Sequence, residues 1–239
     1  MPTSGIRSEL TPNVPLRRPG LADARRSASR VTISALAVLL TMSAACRHSP
    51  AAPTSELSAA EYDVLSAFIA GTFTGPEADE RVGHGIVKIV VFNMTQSDDD
   101  RFSSDENGRP IPWKERAKSL LIEAPALQQT TADAFRQVNA QPASLHHSFH
   151  SPLDYELLDS TQLNSIFKKN GGWPAFYKRY PGSQGILTFS RVGFSADGTQ
   201  ALFYSSNVCG GLCGGGSYVV MQKRNGRWAI GREIEKWVS

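Results

Sequence analysis

An α+β fold is encoded in these 239 residues: N-terminal helices packed on a curved, four-stranded antiparallel sheet from the C-terminal part of the chain. Order carries this expectation. A capped segment with helical apolar spacing comes early, at 58–73, and hairpin signals crowd the end, at 186–238. Helices first and a meander last is the α+β arrangement.

The elements follow in order. Ser58-Ala-Ala-Glu61 is a capping box, in which each of the two side chains satisfies the other residue's backbone N–H. Tyr62, Leu65, Phe68, Ile69 and Phe73 then fall at helical spacing, and Gly75-Pro76 ends the helix. Residues 86–95 are β-branched and mostly apolar, which predicts an interior strand. Asp98–Gly108 places five carboxylates within nine residues, but their spacing is not that of a calcium-binding EF-hand loop, so the stretch reads as a solvated acidic loop. A helix is expected over 125–140, a short strand over 154–159, and a helix from about 161 that Gly171-Gly172 breaks. A second short helix presents Trp173, Phe176, Tyr177 and Tyr180, of which Trp173, Tyr177 and Tyr180 read as core or as a partner-binding patch. Strands then follow at 186–194, 200–207, 217–224 and 227–238. Asp197-Gly198 and Asn225-Gly226 supply the turns, the second a two-residue type I′ hairpin. In the last strand Trp228, Ile230, Ile234 and Val238 share one face by strict alternation, and Gly193 and Gly231 mark bulges or bends. A curved sheet around a long helix, as in cystatin or NTF2-like folds, is the specific expectation.

Composition sets the broad class. With 41% hydrophobic, 20% charged and 9% aromatic residues, the chain is neither collagen-like, nor disordered, nor a multi-span membrane protein. Residues 1–46 hold six basic and two acidic side chains, and residues 47–239 hold 19 and 20, so the net charge falls from +4 to −1 along the chain. The basic balance therefore belongs to the N-terminus, and nothing in the rest calls for nucleic acid.

That N-terminus has the order of a secretory signal: an arginine-rich stretch, an uncharged apolar run over 31–45, small residues, then Cys46. The apolar run is shorter than the roughly 20 residues a spanning helix needs. Ser43-Ala44-Ala45-Cys46 resembles the bacterial lipobox, whose cysteine receives a diacylglycerol, although Ser43 stands where leucine is usual. The competing reading is an ordinary cleavage site with an incidental cysteine. The domain plan is thus a signal peptide over 1–45, a lipidated cysteine and flexible tether over 46–55, and one globular domain over 56–239. The implied location is exported and lipid-anchored on the cell or outer membrane, facing the periplasm or the exterior.

Cys209 and Cys213 remain. In an oxidising compartment such a pair forms a disulfide, and the glycines of Cys209-Gly-Gly-Leu-Cys213-Gly-Gly-Gly216 permit the tight reversal. A redox site, a zinc site and an anion-binding glycine nest are the competing readings. The spacing is one residue too long for the first, and the second lacks further ligands nearby.

The string Trp173-Pro-Ala-Phe-Tyr-Lys-Arg-Tyr180-Pro, then Ser190-Arg-Val-Gly-Phe194, Cys209-Gly-Gly-Leu-Cys213 and Trp237-Val-Ser239 resembles that of an uncharacterised family of bacterial exported proteins. The resemblance covers about a third of the chain strongly and implies a defined globular domain. It carries over no catalytic residue.

Candidate chemistry is sparse. His146 and His150, with His147 between them, fall in a short run bracketed by Pro142 and Pro152. They would share a face of a helix or of a strand. Arg191 sits among apolar residues in a strand, where a charge needs a partner, and Glu233 is the expected mate. Either they form a structural ion pair or they line an anion-binding pocket between sheet and helix. No nucleophile elbow, phosphate loop or dinucleotide fingerprint is present, and no metal or cofactor is expected. The reading is a lipid-anchored envelope module that binds a small ligand or an envelope protein without chemistry. The alternative is a hydrolase-like envelope enzyme using His146, His150, Arg191 and Glu233.

Overall fold

A computed structural model describes residues 56–74, 85–97, 107, 109–169 and 171–239. The signal segment, Cys46, the tether and the acidic stretch 98–106 lie outside the described residues. The described part belongs to one unit, Ser49–Ser239.

Helix α1 spans Ala59–Phe73, and its capping box forms as expected: Glu61 N–H donates to Ser58 Oγ, and Ser58 N–H donates to the Glu61 carboxylate. Its apolar stripe, Tyr62 through Phe73, is buried. Strand β1 is Lys88–Phe92. Helix α2, Trp113–Glu123, was not anticipated, because only Ala117 and Leu120 of its eleven residues are buried and the apolar period is faint. Its Lys, Glu, Arg, Ala and Leu content favours helix without that period. Helix α3 is Gln129–Val138, β2 is Asp154–Leu158, and α4 is Ser160–Asn164, continued as a π-turn over Ser165–Lys169. Helix α5, Trp173–Arg179, precedes β3, Ile186–Phe189, and β4, Gly193–Phe194. Long strands β5 (Gln200–Gly210), β6 (Cys213–Arg224) and β7 (Arg227–Val238) complete the chain. Asn225 and Gly226 both take positive φ, 50° and 78°, as a type I′ turn requires.

The fold is α+β, but the sheet is larger than the four antiparallel strands expected. Among the described residues, seven strands form one mixed sheet in the order β2-β1-β3-β5-β6-β7, with β4 paired to β5. β1 runs parallel to both β2 and β3, and the remaining pairs are antiparallel. β1 and β3 share one register pair, Val91 with Leu187. Beside it the Gln184 carboxamide acts as a peptide group: its Oε1 accepts from Val90 N–H (3.2 Å) and its Nε2 donates to Val90 O (3.1 Å).

Both sheet faces are covered, unlike the expected curved sheet wrapped around one long helix. α1 and the 143–149 segment cover one face, over Val91, Phe189, Phe203 and Met221. On the opposite face, α2 and α3 pack on Leu202, Tyr204, Tyr218 and Ile234, and α4 and α5 pack on Val90 and Ile186. β5 is consequently buried continuously over its first seven residues and does not alternate.

The register of β7 also corrects the expected single apolar face. Ile230 pairs with Met221 and Arg232 with Val220, so Gly231 is an inserted residue. Across that bulge the alternation flips. Trp228 and Ile230 face α1, whereas Ile234 joins the cluster under α2 and α3.

Candidate functional site

Arg191 lies between β3 and β4 and is 5% exposed. Its partner is not Glu233: β5 and β6 lie between that segment and β7 in the sheet. The partner is Glu61 on α1, whose carboxylate receives Arg191 Nε at 3.1 Å and Nη2 at 2.9 Å. The same carboxylate accepts from the Val192 and Ser58 N–H groups and from Ser58 Oγ. Buried Asn139, at the end of α3, closes the arrangement: Oδ1 accepts from Arg191 N–H at 2.7 Å, and Nδ2 donates to Arg191 O at 3.0 Å. Arg191 thus clasps α1 to α3 through the sheet. Its charge is met by a bidentate carboxylate, the geometry that suits a guanidinium out of water.

The histidines lie on the surface. Leu145 and Phe149 point into the core, and His146, His147 and His150 are exposed. Two hydrogen bonds hold the segment along α1, from His146 N–H to Tyr62 Oη (2.6 Å) and from His150 N–H to Ser66 Oγ (2.9 Å). The His146 ring lies 3.4 Å from a Glu56 carboxylate oxygen, and the His147 ring faces Tyr155. Glu233 is exposed on β7, in a groove of about 1230 Å³ between α1 and the β6–β7 hairpin that Asp63, Gly71, Trp228 and Ile230 also line. The four residues expected to share one pocket therefore divide among a buried clasp, a surface loop and this groove. Among the described residues no group of three or more His, Cys, Asp or Glu side chains is placed to hold a metal ion.

Cys209 and Cys213 form the expected disulfide, with Cα atoms 5.0 Å apart, across the β5–β6 turn. Leu212 at its tip is 91% exposed, and Tyr177 Oη donates to Cys209 O, tying the loop to α5. The glycines after the bridge have a specific use. A Cβ at Gly216 would meet Tyr204 Oη at 2.0 Å and Trp237 Nε1 at 2.3 Å. Only glycine admits the Trp237 Nε1–H to Tyr204 Oη hydrogen bond there. Burial pushes the Tyr204 phenol far above its ordinary range, which keeps it neutral as the acceptor. Tyr180 is buried and Trp173 and Tyr177 are half-buried in one aromatic cluster with Phe167 and Phe176, so these rings are largely core.

Sequence reasoning did not find the cleft on the opposite face from α1. It has a volume of about 710 Å³ and is lined by Phe92, Met94, Leu163, Ile186, Val208 and Trp237. Its polar edge includes the hydrogen-bonded hydroxyls of Thr188 and Ser206, 2.6 Å apart. Gln96 also lines it, and the Gln96 Oε1 atom is buried with no hydrogen-bond partner among the described residues. Among the described residues no ionisable side chain contributes to the lining. The residues come from β1, α4, β3, β5 and β7, so no single stretch of sequence carries the signal. A comparison of the chain with protein-family models, curated proteins and solved structures finds no match in any of the three.

Proposed function

We propose that the chain is an exported envelope protein, lipidated at Cys46, whose globular domain binds a neutral, mainly apolar ligand without transforming it. The observation that carries the binding reading is the 710 Å³ cleft, with apolar walls, a few hydroxyls and, among the described residues, no ionisable side chain. Ligand sites have this composition, whereas general acid–base chemistry needs a titratable group within reach of the substrate. The unpaired Gln96 Oε1 asks for one hydrogen-bond donor on the ligand. The order of basic stretch, apolar run, small residues and Cys46 supports export and anchoring, as does the resemblance of the 173–239 string to exported bacterial proteins. Two acyl chains on one cysteine hold a protein firmly where a single chain is marginal.

Two measurements test this. N-phenyl-1-naphthylamine, an apolar fluorophore with one N–H, should bind saturably and brighten. Gln96→Leu should weaken binding by about 3–10-fold, the value of one net hydrogen bond, and Val208→Phe should abolish it by filling the cleft. Unchanged binding in both variants would refute the assignment. Labelled palmitate should enter the wild-type chain in its bacterial host and not Cys46→Ser; membrane retention of that variant would refute the anchor.

A further inference from the structure

A second hollow, on the α1 face, takes a ligand of different chemistry. It holds about 140 Å³ where α1 stops short of covering the sheet. The strand register builds its polar wall. Ser205 on β5 pairs with Ser217 on β6, and Ser217 pairs with Glu235 on β7. Two pairs along, on the same face, Asn207 is opposite Gly215, which adds no side chain and leaves the space open. Val219, whose side chain lies in the core under α1, pairs with Glu233, so both glutamates project from that same face.

Two oxygens in this wall are unsatisfied. Thr72 Oγ1 and Asn207 Oδ1 are buried and have no hydrogen-bond partner among the described residues. Asn207 Nδ2 donates to Gln184 O at 3.0 Å, which leaves the amide oxygen as the unpaired end. Ser205, also in the wall, is only 6% exposed. A buried acceptor without a donor is costly, so the wall calls for a donor. Among the described residues of this lining, the charged side chains are acidic. Glu233 and Glu235 contribute carboxylates, and the last turn of α1, the negative end of its dipole, holds no basic residue. Lys223, Arg227 and Arg232 line the larger neighbouring groove and not this hollow.

We infer that this hollow binds the ammonium group of a small protonated primary alkylamine. An ammonium supplies three donors and one positive charge, matching a carboxylate, an amide oxygen and a hydroxyl. A calcium ion would want six to eight oxygen ligands rich in carboxylate, and this wall offers two carboxylates among hydroxyls. Thr72 and Glu233 also line the larger groove, where Ile230 and Trp228 give the alkyl body an apolar floor. The site lies on the opposite face of the sheet from the apolar cleft and stands whether or not that cleft binds.

The test is calorimetric titration of the full chain with pentylamine at about 0.15 M salt, where exposed charges are screened beyond roughly 8 Å. Saturable binding is expected for pentylamine and none for 1-pentanol, which lacks the charge. Glu235→Gln, an exposed position chosen to spare the fold, should weaken binding at least tenfold, and Asn207→Leu should do the same. The proposal is overturned if pentylamine fails to saturate, if Glu235→Gln binds it as wild type does, or if calcium chloride binds and displaces it.

Discussion

Arg191 shows what a single buried charge demands. A guanidinium at 5% exposure requires a paired, hydrogen-bonded anion, and Glu61 is only 3% exposed itself. Removing one partner strands the other, so Glu61→Ala should cost about 3–5 kcal/mol in denaturant unfolding. Replacing both, as Glu61→Leu with Arg191→Met, should recover most of that loss, because two apolar chains of similar volume strand nothing. A double variant as unstable as the single one would mean that the carboxylate's bonds to the Ser58 and Val192 amides dominate. The need for a partner was legible at position 191, since alternation buried it among apolar residues. Its identity was not, because Glu61 lies 130 residues away and already serves a capping box. Asp197 gives a second residue-scale prediction. Hydrogen bonds from Ser195 Oγ, Thr199 N–H and Thr199 Oγ1 lower its pKa from 3.8 to about 2. A depressed carboxylate stabilises the fold above its unfolded pKa and loses that contribution as pH falls through the folded one. Asp197→Asn should therefore be less stable than wild type at neutral pH, with the gap closing between about pH 4 and pH 2. A gap that stays constant across that window would contradict the assignment.

Gly193 and Gly231 both read as marks of bulges or bends, and the structure gives them different tasks. Gly231 is the inserted residue that turns the second half of β7 to the other sheet face. Strict alternation therefore misassigned Ile234 while placing Trp228 and Ile230 correctly. Gly193 is a point of close approach: a Cβ there would lie 2.2 Å from the Phe135 backbone nitrogen and 2.4 Å from its Cα. Helix α3 cannot yield locally, so Gly193→Ala should cost at least about 3 kcal/mol, the upper end of overpacking. Gly211→Ala, with nothing within 4 Å of the added carbon, should be nearly neutral in the same assay. Equal effects would remove the close-approach account. The hairpins, α1 and the disulfide were readable because local signals carry them: a capping box, an Asn-Gly turn, a glycine-flanked cysteine pair. The parallel seam between β1 and β3 was not. It rests on one ladder pair, on the isolated parallel bridges Lys88–Ser183 and Gln96–Ser190 that flank it, and on a glutamine side chain standing in for a peptide, and none of these leaves a periodic trace.

At the scale of the molecule, the expected one-sided sheet has become a sheet buried on both faces, and this decides how it should melt. Alternate residues of one strand feed different cores: Phe203 of β5 packs under α1 while Leu202 and Tyr204 pack under α2 and α3. Likewise Ile89 and Val91 face α1 while Val90 belongs to the core under α4 and α5. Stripping the helices from either face therefore exposes strands on which the other face depends. The Glu61–Arg191–Asn139 clasp adds a direct link from α1 to α3. Such a fold should unfold in one transition, with far-ultraviolet and near-ultraviolet circular dichroism superimposing. The near-ultraviolet signal is informative because Trp228, Trp113 and Trp173 pack against three different clusters. Phe68→Ala, under α1, and Phe176→Ala, under α5, each delete a ring that is at most 5% exposed. Each should cost about 3–5 kcal/mol, or a drop in Tm of roughly 6–20 °C for a unit of this size. The decisive point is that both variants should lower the same single transition. If Phe176→Ala instead split the melt, with the Trp173 region lost first and the far-ultraviolet signal later, the α4–α5 layer would be a separate cooperative unit.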